Sequence, residues 1–479
     1  MKKYFIKTFG CQMNQADSEK INMILLQSGF IKINNIPGAD LVILNTCSVR
    51  KKGEDKVFSM VNSIIKERRK GNNNTIVGIT GCMVRKTGLN KDFLEEGIFR
   101  KKSKKIDYIS DKKGIFNNDD GLFPVIDGLD FTLRIEEIKY LPFILSHILG
   151  EKIGNDDKFD DYLKSKQIRD NPYSASVIIQ TGCDNFCSFC IVPYTRGREI
   201  SRPKNEIVNE VKQAVLSGAK EVTLIGQNVN SYGKQFAHKK FWNSEKSKWE
   251  GNLKSPFRDL LEELDCVEGL DRIRFTSSNP HDMTKDILDS HFDLKTSCNH
   301  LHFALQSGSD EMLKKMNRKH TYSDFKKQVD YLRSKDPFFS IFTDIIVGYS
   351  GETEEMFNDT VKAFRECEFD FVYNARYSVR NGTIASKIYP DDIPNGVKAK
   401  RWHILNDILL ENVTKRNSLM LGKIEDILIS GANESKFFGR TRNFKEVFFN
   451  KKDSVKIGDI VKVKINKLDK WVLKGEIVG

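Results

Sequence analysis

The stretch "SASVIIQTGCDNFCSFCIVPYTRGR", residues 174–198, decides how the chain is read. It begins as a strand-length apolar run and breaks at Gly182. It then sets Cys183, Cys187 and Cys190 within eight residues. A structural zinc site takes four ligands, usually in CxxC pairs. A disulfide framework takes an even number of cysteines. Three thiols suit neither. A cuboidal 4Fe–4S cluster has four irons, each normally held by one thiolate. A short CxxxCxxC loop can wrap three corners of such a cube. The fourth iron is left open to a substrate's amino and carboxylate groups or to an exogenous sulfur.

Downstream of this motif, strand-like runs recur at 221–227, 272–278, 300–307, 338–348 and 370–378, with helical segments between most of them. Together with 174–182 they make six βα repeats. We expect an incomplete (β/α)6 barrel, whose chemistry gathers at the carboxyl ends of the strands. Cys183 directly follows the first strand and so belongs to that face.

Upstream, "YFIKTFG" (4–10), "DLVILNT" (40–46) and "TIVGITG" (75–81) alternate with helical patterns. This predicts an open parallel α/β sheet. Each run is followed at once by a cysteine: Cys11, Cys47 and Cys82. Loops after strand carboxyl ends share one crevice in such a sheet, so these three thiols can converge as a second triplet. Residues 101–170 read as loop and linker. After about residue 412 short alternating strands with Gly and Asp turns predict a small β-barrel. From Glu411 to Gly479 there are 15 Lys or Arg against 9 Asp or Glu. Small basic barrels commonly bind single-stranded or looped nucleic acid.

The whole chain of 479 residues carries a formal charge of +13, which suits a polyanionic partner, although a Lys- and Asn-rich composition alone would produce it. No apolar run approaches a membrane span, and the N-terminus lacks the apolar core of a signal peptide. A cytoplasmic location with reduced cysteines is the expectation.

"GCDNFCSFCIVPYTRGREISRP" resembles the signature of the radical S-adenosylmethionine (SAM) enzymes. "TFGCQMN", "NTCSVR" and "GCM" resemble the N-terminal cysteine sites of the methylthiotransferases among them. "LIGQNVNSYG", "FTSSNP", "LQSGSDEMLKKMNRKHT" and "TDIIVGYSGET" are similar to that family's barrel segments. "GRTRNFKEVFF" with "GDIVKVKI" resembles its RNA-binding TRAM domain. Within the family, "CQMN", "CSVR", "VPYTRGRE" and "GQNVNSYG" are most similar to the MiaB-type branch.

The resemblance implies three parts: a methylthiotransferase N-terminal domain at 1–150, a radical SAM core at 168–410 and a TRAM-like domain at 411–479. It implies a radical-SAM 4Fe–4S cluster on Cys183, Cys187 and Cys190 and an auxiliary 4Fe–4S cluster on Cys11, Cys47 and Cys82. SAM is implied to lie near Gly226, Gln227, Ser277, Ser278, Gln306 and Asp344. Arg196 and Arg198 are candidates to face the cluster loop or RNA phosphate, and Arg440 and Arg442 are candidate RNA contacts. The implied reaction adds a methylthio group to C2 of N(6)-isopentenyl-adenosine at tRNA position 37, using two SAM. The implied partner is tRNA, and nothing demands more than a monomer. Other members of the family act on threonylcarbamoyl-adenosine in tRNA or on a ribosomal-protein aspartate. A non-catalytic RNA-binding protein with a structural metal is the alternative of a different class.

The sequence departs from the family in two places. Ser350 in "GYSGET" stands where proline is usual, and an insertion falls near residues 110–130. Cys266, Cys298 and Cys367 match no ligand position and read as structural thiols. His300 and His302 read as core or surface residues rather than ligands.

Overall fold

The computed structural model describes residues 1–47, 51–71, 74–84, 126, 128–154, 162–165, 167–236 and 254–478. Most of the expected insertion near 110–130 lies outside the described residues. The chain divides into two compact units. The first comprises Met1–Asp170, Thr181–Asp184 and Cys190–Glu199; the second comprises Asn171–Gln180, Asn185–Phe189 and Ile200–Gly479.

The first unit is built on a five-stranded parallel sheet in the order β2-β1-β3-β4-β5. Its strands are β1 (Lys3–Thr8), β2 (Ile31–Lys32), β3 (Leu41–Thr46), β4 (Ile76–Gly81) and β5 (Phe131–Leu133). Strands β3 and β4 are buried along their whole length, as the unbroken apolar runs of a doubly covered parallel sheet require. Helix α1 (Gln12–Gln27) follows β1, and α2 (Lys51–Arg69) follows β3. Val57, Val61, Ile64 and Ile65 of α2 pack on Val42, Leu44, Val77 and Ile79 of the sheet.

Helix α1 instead buries polar residues, among them Asn14, Asp17, Glu19 and Lys20. Segment 162–170 satisfies several of them. The Lys20 ammonium donates to the Tyr162 carbonyl at 2.6 Å and to that of Ser165 at 3.0 Å. The Asp170 amide donates to Glu19 at 3.1 Å.

The reading of 101–170 as loop and linker needs correction. Strand β5 forms the sheet edge, and the helix Leu141–Leu149 buries Leu141, Ile144 and Leu145. "LPFILSHIL" is apolar on nearly every side, so it shows no helical period.

In the second unit two three-stranded parallel sheets carry the six expected strands. One is β10-β9-β6, the other β11-β12-β13. Their ranges are β6 (Ser174–Ile178), β9 (Glu221–Ile225), β10 (Arg272–Phe275), β11 (His300–His302), β12 (Ser340–Val347) and β13 (Phe371–Arg376). The short pieces β7 (Gln180–Thr181) and β8 (Ile200–Ser201) flank the cysteine loop. Bridges between Ile273 and Ser297 and between Ser278 and Phe303 join the sheets, giving the partial barrel. The following helix Asn395–Ser418 leads into a closed five-stranded barrel ordered β14-β15-β16-β18-β17. Its strands are β14 (Ile424–Ala432), β15 (Lys436–Arg440), β16 (Glu446–Asn450), β17 (Ile460–Asp469) and β18 (Val472–Ile477).

Arginines of β10 fasten this terminal barrel to the core. Arg272 donates to the carbonyls of Arg440 and Asp426, both at 2.7 Å. Arg274 donates to Glu221 at 2.7 Å and to the Arg442 and Thr441 carbonyls at 2.8 Å. Phe444, at the tip between β15 and β16, stacks on His300 with ring centroids 4.5 Å apart.

Candidate functional site

In the first unit the three strand-end cysteines are drawn around the end of β3. Cys11 caps the N-terminus of α1. Its amide and its thiol both lie 3.4 Å from the Asn14 side-chain oxygen, to which they donate. The Asn14 amide group donates in turn to the Asn45 side chain and to the Thr46 carbonyl, each at 3.1 Å. Asn45 returns a bond to the Asn14 carbonyl at 2.7 Å. The paired asparagines thus tie the turn after β1 to the end of β3, immediately before Cys47. Gly10 closes the remaining gap: a Cβ there would sit 2.5 Å from the Cys47 Cβ. The Cys82 amide donates to the same Thr46 carbonyl at 2.8 Å. Burial pushes the Cys82 thiol up in pKa, while the positive charge of Arg196 works against that shift.

Arg196 was expected to face the cluster loop or RNA phosphate. Its side chain is 2% exposed and forms an ion pair with Asp17, which is fully buried, so it does not present a free cation to RNA. The Tyr162 hydroxyl donates to Asp17 at 2.6 Å and accepts from Arg196 at 3.4 Å. Arg198, two residues on, is exposed and pairs with Asp184 at 2.8 Å.

Of the motif cysteines, Cys183 and Cys187 are buried and Cys190 is half-buried. The Cys183 amide donates to the Gly197 carbonyl at 3.2 Å. In the second unit, Arg318 donates to the Cys187 sulfur at 3.3 Å and to the Ala304 carbonyl at 2.6 Å. Asn317 holds the Phe186 carbonyl at 2.9 Å, across a residue with φ of 46°. Ser188 is fixed by Tyr349 at 2.8 Å and by the Lys315 carbonyl at 3.0 Å.

The residues expected to surround SAM lie at the strand ends of the second unit. Gly226 stands beside Gln180, and a Cβ there would be 2.8 Å from the Gln180 Cγ. Ser277 and Gln306 adopt φ of 64° and 75°, a strained choice for non-glycine residues that concentrates at functional sites. The Ser277 amide donates to His302 Nδ1 at 3.2 Å, and His302 Nε2 lies 2.9 Å from the Asp344 carboxylate. Accepting at Nδ1 puts the ring proton on Nε2, which lies close to Asp344 without an aligned hydrogen bond to it. The side-chain oxygens of Gln180, Gln227, Asn228, Ser278 and Gln306 are buried and meet no protein donor among the described residues. Buried acceptors are normally satisfied. A ligand rich in N–H and O–H groups would supply what these five lack, and SAM offers an ammonium, two ribose hydroxyls and an adenine amino group.

Among the described residues, no three His, Cys, Asp or Glu converge as ligands of a single metal ion. A four-iron cube spreads its thiolates over separate irons, so the two arrangements differ in scale.

Arg442 is also corrected as an RNA contact. Its guanidinium donates to the carbonyls of Lys295 and Ser297 at 2.6 and 2.7 Å and to that of Asp271 at 3.1 Å, which fastens the terminal barrel to the core. Arg440 stays exposed, packed over Phe444 at 4.2 Å. The sequence gives no sign of a role for Asn14, Asn45, Arg318 or the Asp17–Tyr162 pair, and His302 reads there only as a core or surface residue. "CQMN" and "LNTC" did carry the two asparagines beside their cysteines.

A partial parallel barrel with a three-cysteine loop after its first strand defines a radical SAM enzyme, and the family profiles agree. The Radical SAM superfamily matches residues 177–364, the uncharacterized protein family UPF0004 matches 3–99, and the TRAM domain matches 418–478. A tRNA-2-methylthio-N(6)-dimethylallyladenosine synthase of Clostridium botulinum (strain Loch Maree / Type A3) is 37% identical over 99% of this chain and 96% of its own length. One of the same name from Thermoanaerobacter sp. (strain X514) is 36% identical over 99% and 92%. The chain belongs to the MiaB-type methylthiotransferase family. Among solved structures, the radical SAM methyltransferase TsrM from Kitasatospora setae, with cobalamin and a [4Fe-4S] cluster bound, shares the fold. Its TM-score is 0.51 at 13% identity, covering 81% of this chain and 77% of that one. No described helix is long and apolar enough to cross a membrane.

Proposed function

We propose that this chain adds a methylthio group to C2 of N(6)-isopentenyl-adenosine at tRNA position 37, using two SAM and two 4Fe–4S clusters. The observation that carries this reading is the second cysteine triplet. Cys11, Cys47 and Cys82 are gathered about Thr46 by a dedicated asparagine pair, beyond the triplet that a radical SAM enzyme already needs. The substrate is taken from the names of relatives that match nearly the whole chain.

Cys183, Cys187 and Cys190 would hold the radical-SAM cluster; Cys11, Cys47 and Cys82 would hold the auxiliary one. When bound, these clusters with SAM supply one-electron chemistry and a transferable sulfur, which an unactivated aromatic C–H carbon requires. The protein's own work is orientation. Gln227, Ser278 and Gln306 present acceptors to SAM; His302 faces Asp344 at the strand ends. Arg318 shields the Cys187 sulfur. We retain the division into an N-terminal domain at 1–150, a radical SAM core at 168–410 and a TRAM-like domain at 411–479 as part of this proposal. Arg198 and Arg440, both exposed, remain its candidate phosphate contacts.

Reconstituted protein offered three anticodon stem-loops tests the substrate assignment: unmodified, isopentenylated and threonylcarbamoylated at position 37. Methylthiolation of the isopentenylated RNA alone is expected. Turnover of the threonylcarbamoylated RNA instead would reject the assignment.

A further inference from the structure

The stretch "KKMNR", residues 314–318, runs off the end of the short helix Asp310–Lys315 and closes on the cysteine loop. The Lys315 and Met316 carbonyls accept from the Ser188 hydroxyl and amide, each at 3.0 Å. Asn317 donates to the Phe186 carbonyl at 2.9 Å. Phe186 and Asn317 take φ of 46° and 57°, a conformation that non-glycine residues keep only where their surroundings over-determine it. The loop is thus pinned on both sides of Cys187, and the place of that sulfur is set.

Arg318 reaches the sulfur directly. Its Nη1 donates to Cys187 Sγ at 3.3 Å, while Nη2 donates to the Ala304 carbonyl at 2.6 Å and to the Asn279 side-chain oxygen at 3.2 Å. Asn279 is itself fixed, because its backbone exchanges two hydrogen bonds with the Asn230 side chain at 2.8 and 2.9 Å. The acceptors past the ends of β10 and β11 therefore aim the donor. All three acceptors of Arg318 are neutral, and among the described residues it meets no carboxylate. A part-buried cation held only by neutral dipoles gains most from an anion beside it.

We infer that Arg318 is a positioning residue for the radical-SAM cluster: its hydrogen bond to the Cys187 sulfur raises the reduction potential of the cluster that Cys183, Cys187 and Cys190 would hold. This rests on the radical-SAM cluster reading above. Three thiolates around a 4Fe–4S core make an anionic centre, and one-electron reduction adds a further negative charge. An N–H donor on a cation with no carboxylate of its own stabilises that reduced form more than the oxidised one. Such outer partners tune a centre without ligating it.

The test uses full-length protein with Cys11, Cys47 and Cys82 all changed to Ala, so that only the radical-SAM site remains, measured without SAM. This background should retain about four irons per chain after anaerobic reconstitution; retention of none would mean that the cluster reading itself has failed. In it, Arg318→Gln should keep the iron and shift the midpoint potential to a more negative value. Arg318→Lys, which keeps the charge and loses the planar fork, should shift it less. An unchanged midpoint in Arg318→Gln overturns the inference. A second measurement needs no substitution at Arg318 and decides the matter even if Arg318→Gln takes up no iron. With 15N-arginine labelling, pulsed paramagnetic resonance of the reduced cluster should detect a guanidinium nitrogen coupled to it. Absence of that coupling also overturns the inference.

Discussion

Asp370 is the most exacting test of how the terminal barrel is held to the core. Its carboxylate is 1% exposed and receives Lys445 at 2.6 Å, Arg333 at 3.2 Å and Arg416 at 3.3 Å. Lys445 comes from the barrel, the other two from core helices. Burial pushes the Asp370 carboxyl up, but the three cations outweigh it and hold the pKa at about 2. A fall from an ordinary 3.8 to about 2 corresponds to about 2 kcal/mol of stability. The folded pKa lies below the unfolded one. This contribution is therefore complete above about pH 4 and is lost as the pH falls through about 2.

Asp370→Asn removes more than that term, because it strands three buried cations. Breaking a buried pair in this way costs about 3–5 kcal/mol. At about 3 kcal/mol, opening equilibria rise roughly 100-fold. Native-state hydrogen exchange reads this locally. Amides of β17, such as Val463 and Ile465, should lose about two decades of protection at neutral pH, while Leu44 in the first unit's β3 stays unchanged as an internal control. Equal protection of β17 in both proteins would refute the argument that Asp370 ties the barrel down.

Four further outcomes are expected. Cys47→Ala should lower iron from about eight to about four per chain and retain SAM cleavage while methylthiolation stops; Cys187→Ala should abolish SAM cleavage, which end-product assays for 5′-deoxyadenosine will separate. Arg442→Ala should loosen the barrel, raising proteolysis between the helix Asn395–Ser418 and β14 without changing iron content. Trp471 and Tyr373 are 43% and 40% exposed and are linked through Phe371 at 6.1 and 5.0 Å; replacing either with Ala should weaken stem-loop binding by about 1–3 kcal/mol if it stacks a base, measured by fluorescence anisotropy. Asp344→Ala should raise the SAM dissociation constant at constant iron content, because it removes the carboxylate that faces His302 at 2.9 Å across the strand ends.

The placement of Cys11, Cys47, Cys82 and Cys183 was legible because each follows an apolar run that ends in Gly or Thr, and Cys187 and Cys190 share the loop of Cys183. Such runs are strands almost regardless of context, and the residue after each falls on the active rim of a parallel sheet. What stayed hidden depends on partners far away in sequence. "RIRF" alternates as a strand with one solvated face would, yet Arg272 and Arg274 are each 1% exposed. Carbonyls of the terminal barrel replace the water that this alternation implies. The choice between the cluster loop and RNA for Arg196 stayed open for a similar reason: its acid, Asp17, lies 179 residues away in sequence. The helix Leu141–Leu149 was concealed because it is apolar on nearly every side and periodicity needs contrast, and β5 is only three residues long.

The central claim is that two incomplete cysteine sites make this chain a sulfur-inserting enzyme for an isopentenylated tRNA base. Mass spectrometry of tRNA nucleosides from a strain lacking its gene tests that claim most directly. In that strain 2-methylthio-N(6)-isopentenyl-adenosine should disappear, N(6)-isopentenyl-adenosine should accumulate, and the Cys47→Ala and Cys187→Ala variants should both fail to restore the product. Unchanged methylthiolation in that strain, or full restoration by the Cys47→Ala variant, would contradict it.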